Sequence, residues 1–151
     1  MSAPFLIEDV LIARLKTLST VTALVGADAA ARIRPGVLDQ SDTLPAITLR
    51  VVEELHESSL DEEADQNDQA YVEICAIAAT HRAARLLQKA IEFNGTIPGT
   101  GLNGASSPGS GLDDCTLIGA VSEVVDLKDD AGGKREVMRL RYLVTLCEPS
   151  A

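Results

Sequence analysis

The 151 residues are 46% hydrophobic and carry 23 acidic against 13 basic side chains, for a net charge of −10. This length builds one ordinary hydrophobic core and leaves too little chain for a second, so a single domain over residues 1–151 is expected. The negative balance repels nucleic-acid backbones and anionic membrane surfaces, which argues against a sequence-reading DNA binder.

From Phe5 to Leu18, apolar Leu6, Ile7, Val10, Leu11, Leu15 and Leu18 trace a broad helical stripe, with Glu8, Asp9, Arg14 and Lys16 largely off it. Glu8 and Asp9 also interrupt the only apolar opening, and no basic n-region precedes it. Neither a secretion signal nor a membrane span is expected, and synthesis in a cytoplasm follows. A short helical turn around Val21 to Val25 precedes Gly26, and Ala27 to Arg34 lead into a loop bounded by Pro35 and Pro45. Ile47, Leu49 and Val51 then alternate with Thr48, Arg50 and Val52, predicting a strand that extends into Glu53 to Leu55.

Residues 53–69 form a polar connection in which Glu53, Glu54, Glu57, Asp61, Glu62, Glu63, Asp65 and Asp68 meet no lysine or arginine. Carboxylates suit calcium or magnesium, but the run lacks the central glycine and closing glutamate of an EF-hand. A solvated, self-repelling tip or loop accounts for it more simply.

At Tyr71 to Ala78 a strand pattern begins again, with Val72, Ile74, Ala76 and Ala78 on one face and Tyr71, Glu73, Cys75 and Ile77 on the other. Thr80 is a favoured N-cap for the helix that follows. There, Ala83, Leu86, Leu87, Ala90 and Ile91 fit the helical template, and Asn94-Gly95 reads as its stop.

The Gly-rich loop at residues 95–113 contains Gly99-Thr100-Gly101-Leu102-Asn103-Gly104, which matches the letters GxGxxG. A dinucleotide fingerprint follows a strand and opens a helix, whereas this run follows a helix and leads into Ser107-Pro108-Gly109. A loop that stays mobile until a partner contacts it is the simpler reading. Finally, Thr116 to Leu127 and Arg135 to Cys147 are strand-like on either side of Asp129 to Gly133, a hairpin pattern. Met138, Leu140, Tyr142, Val144 and Leu146 should face inward, with Arg139, Arg141, Leu143 and Thr145 opposite. The fold class expected is α+β, an antiparallel or mixed sheet of about four strands with helices packed on one face.

No active site emerges. His56 and His81 are the two imidazoles, and no GxSxG elbow or Cys-His signature accompanies them. His56 lies in the acidic stretch and His81 in a first helical turn. Cys75, Cys115 and Cys147 show no CxxC spacing, so free thiols are expected, with Cys75 and Cys147 as small apolar packing residues. The expectation is a non-enzyme with no cofactor and no metal. A ligand- or metal-binding accessory domain is the alternative from another class, and a hydrolase using His56 or His81 ranks below it.

Several stretches taken together carry a resemblance. They are the helix with Leu11 to Val25, Arg32-Ile33-Arg34-Pro35, Leu44-Pro45-Ala46-Ile47 opening a strand, Tyr71 to Ala76, Thr80 to Leu87, and the closing hairpin. In this order the chain resembles the small tail-completion, or tail-terminator, proteins of long-tailed bacteriophages and related prophage elements. That family often has an aromatic residue late in the central strand, where this chain has Ala76, Ile77 and Ala78.

The resemblance implies a structural virion protein at the head-tail interface, or neck. It would form a homo-oligomeric ring, typically six-fold, that caps the tail tube and joins it to the head connector or stopper protein. Before assembly it would reside in the host cytoplasm. DNA would pass without sequence-specific binding, with Glu53, Glu54, Glu57, Asp61, Glu62, Glu63, Asp65 and Asp68 as candidates for lining the channel. A head-side stopper or a minor tail protein is the alternative within the same class.

Overall fold

A computed structural model of the chain describes residues 7–26, 31–36, 43–55, 69–93, 101–105, 112–126 and 134–146. In chain order its elements are α1 (Ile7–Lys16), α2 (Ser19–Val25), β1 (Ile33–Pro35), β2 (Ala46–Leu55), β3 (Gln69–Ala78), α3 (His81–Glu92), β4 (Leu112–Asp126) and β5 (Lys134–Leu146). The strands form one sheet in the order β1-β2-β3-β5-β4. β1 pairs with β2 in parallel and every other pair is antiparallel, so the fold is α+β with a mixed sheet.

Period-two alternation sets the two faces of this sheet. Register aligns Ile47, Leu49 and Val51 of β2 with Ala76, Ile74 and Val72 of β3, and these with Met138, Leu140 and Tyr142 of β5. Cys115 and Leu117 of β4 continue the row beside Val144 and Tyr142. This face packs under the helices: Leu11 and Leu15 of α1, Val21 and Val25 of α2, and Ala84, Leu87 and Ile91 of α3 share its core. Each fully buried leucine or isoleucine contributes about 1.5–3 kcal/mol relative to exposure. The inward set predicted for the last strand, Met138, Leu140, Tyr142, Val144 and Leu146, is buried as a block.

The sheet has five strands, one more than the alternation pattern predicts. The extra strand, β1, has three residues inside the stretch read as leading into a loop. Three residues show no period, and the parallel partner of Ile33 is Ile47, too far along the chain for a local signal. Pro35 is tolerated there because β1 is an edge strand.

The α3 stripe is rotated from its predicted position. Ala84, Leu87, Gln88, Ile91 and Glu92 are buried, whereas Leu86 is 52% exposed. The polar pair tolerates burial because it is bonded: Arg85 Nη1 donates to Gln88 Oε1 (2.7 Å), Gln88 Nε2 to Glu92 Oε1 (2.9 Å), and Lys89 Nζ to Glu92 Oε2 (3.3 Å). Thr80 caps the helix as its side chain predicts, accepting from the Ala83 N–H at 3.1 Å. The helix ends sooner than the Asn94-Gly95 stop, at Phe93, whose φ of −134° and ψ of 130° are extended. Asn94 and Gly95 lie outside the described residues.

Candidate functional site

Two surfaces distinguish the described part of the molecule: the helix-free face of the sheet and the outer half of its edge strand β4. Alternation puts Arg50, Glu73, Arg139 and Glu123 on the helix-free face, one on each of β2, β3, β5 and β4. They form a row of alternating charge across four strands. Arg50 Nε lies 4.0 Å from Glu73 Oε1, and Arg139 Nη1 donates to the same oxygen at 2.7 Å. Arg139 Nε donates to Glu123 Oε2. The Glu123 carboxylate, as the largest influence, raises the already high pKa of the Arg139 guanidinium. At one side of the row Arg141 stacks over Tyr71, 5.2 Å from the ring centroid.

Chain reading missed this row because it depends on register between strands far apart in sequence. The signal available was the repeated Arg139-x-Arg141 beside the lone acid of the central strand, Glu73.

Toward the other end of the same face, Cys75, Ile77 and Val137 form a second, small apolar cluster with Leu44. Cys75 is therefore a packing residue, as expected. Burial first, and the Glu73 carboxylate second, raise its thiol pKa. Burial pushes Cys115 up to about 12, with Asp114 adding to the effect. Both are free thiols held in the protonated, weakly nucleophilic form. Cys147 lies outside the described residues.

The remaining predicted site residues divide clearly. Glu53 and Glu54 sit exposed on the last turn of pairing in β2, opposite Tyr71 and Ala70 of β3. Glu57, Asp61, Glu62, Glu63, Asp65 and Asp68 lie outside the described residues, as does His56. His81 is exposed in the first turn of α3. Among the described residues no group of three or more His, Cys, Asp or Glu side chains could hold a metal ion. No helix of the described residues is long and apolar enough to cross a membrane.

The second half of the GxGxxG run is built for packing. Gly101, Leu102 and Ala105 are buried, the Leu102 N–H donates to Ile91 O at 2.8 Å, and the Gly104 N–H donates to Cys115 O. Asn103 Oδ1 accepts from the Leu117 N–H at 3.1 Å. This corrects the reading of a mobile loop for residues 101–105, which Leu102 pins to the core. The run follows helix α3, whereas a dinucleotide fingerprint follows a strand, and it is tied to that helix at Ile91 and to β4 at Cys115. Gly99 and Thr100 lie outside the described residues.

The outer half of β4 has a different character. Leu112 and Cys115 are buried beneath the helices, but from Ile118 to Val124 the strand leaves their cover. Ile118, Val121 and Val124 are 54%, 65% and 53% exposed. The ladder to β5 shifts between Leu117 and Gly119, placing Ile118 at a bulge. β4 is an edge of the sheet, and edges with exposed apolar side chains are templates for association.

This architecture has a counterpart among solved structures. A chain in the virion of a native gene transfer agent particle superimposes with a TM-score of 0.54, covering 93% of this chain and 94% of that chain at 15% sequence identity. The fold is shared with a virion chain. No protein-family model matches the sequence. No curated protein matches it either.

Proposed function

We propose that this protein is a structural component of a phage-like particle, forming a ring that caps the tail tube and joins it to the head connector. The observation that supports this reading most is the near-complete mutual coverage with a chain of a gene transfer agent virion. The match covers 93% of this chain and 94% of that one, so the likeness concerns the whole fold and not a shared fragment.

The surfaces agree with an assembly role. Both described thiols are buried, and the charges of the helix-free face are bonded to one another. A bulged edge strand carrying exposed Ile118, Val121 and Val124 supplies association surface instead. In a ring each copy presents one patch to a different patch on the next, and the rotation closes. Glu53 and Glu54, with Glu57, Asp61, Glu62, Glu63, Asp65 and Asp68, are proposed to line the channel, where single-sign charge would keep passing DNA from adhering.

Immunogold electron microscopy of particles from the source strain tests the assignment. Label confined to the head-tail junction is the expected result. An accessible epitope with no label on intact particles overturns it. Label on the head side of the neck or along the tail favours the stopper or minor-tail alternative. Replacing four of the acidic residues with lysine should slow genome ejection after normal assembly, and unchanged ejection removes the channel-lining role.

A further inference from the structure

We draw no further inference here: the strongest candidate, the outer half of edge strand β4, where Ile118, Val121 and Val124 stand exposed, carries nothing because nothing in the structure shows what covers it.

Discussion

Gly101 lies against the carbonyl group of Glu92, so close that a Cβ on Gly101 would fall within 3.0 Å of both that group and the Phe93 N–H. The glycine is needed here for space and not for an unusual dihedral angle. It lets the segment 101–105 close over the end of α3, where the Leu102 N–H reaches Ile91 O. Backbone cannot move aside as a flexible side chain can. Gly101→Ala is therefore expected to destabilise the fold by about 1–3 kcal/mol. For a chain of this size that lowers Tm by roughly 2–4 °C per kcal/mol, measurable by calorimetry. An unchanged Tm would show that the segment is not anchored there.

Tyr142 supplies the opposite case. Its side chain is fully buried on the core face of β5, and among the described residues its hydroxyl has no hydrogen-bond partner. Burial, with Cys115 and Glu92 adding to it, strongly raises the phenol pKa. A buried hydroxyl left without a partner costs about 1–3 kcal/mol, whereas the ring itself fills space that the core needs. Tyr142→Phe keeps the ring and removes the cost. Urea unfolding should show the variant equal to wild type or more stable by about 1 kcal/mol. A clear loss of stability would reveal an acceptor for the hydroxyl.

Cys115 links the same region to pH. Its thiol titrates near 9.0 in an ordinary setting and is pushed up to about 12 by burial and by Asp114. With the folded value raised, the stabilisation is fully present below about 9.0 and is lost as pH rises toward 12. Tyr142 contributes in the same direction, so the wild-type curve alone does not isolate the thiol. In Cys115→Val the alkaline fall in unfolding free energy should be shallower than in wild type. Identical slopes would mean that the thiol does not titrate differently in the two states.

Local patterns made much of this fold legible. Strands β2, β3 and β5 follow from alternation, and the Thr80 cap follows from one hydroxyl three residues before the Ala83 N–H. Three features lay outside such patterns. β1 has no period to read and exists because Ile33 finds Ile47. The α3 stripe turns because Glu92 and Gln88 satisfy each other, which leaves Leu86 on the outside. Leu102 anchors a glycine-rich stretch whose composition alone predicts mobility. The acidic run is the converse case: single-sign charge in a sequence carries no direction, and it is pairing with Tyr71 and Ala70 of β3 that sets where Glu53 and Glu54 stand.

The Arg50, Glu73, Arg139 and Glu123 row makes a prediction about the size of an effect. Its members are partly exposed, with side-chain accessibilities of 64%, 22%, 38% and 45%. Water therefore screens each pair, and exposed ion pairs contribute about 0.2–1 kcal/mol. Glu73 is the most sheltered of the four and is shared by both arginines, so the Glu73–Arg139 pair at 2.7 Å should sit at the upper end of that range. A double-mutant cycle with Glu73→Gln and Arg139→Met isolates the coupling. Raising the salt to about 1 M shortens the screening length to roughly 3 Å and should reduce the coupling without abolishing it, because the contact is direct and partly sheltered. A coupling of zero at low salt would show that the row is a surface arrangement with no part in stability. A coupling well above 1 kcal/mol would instead mean that Glu73 is effectively desolvated, and the helix-free face would then behave as a rigid plate.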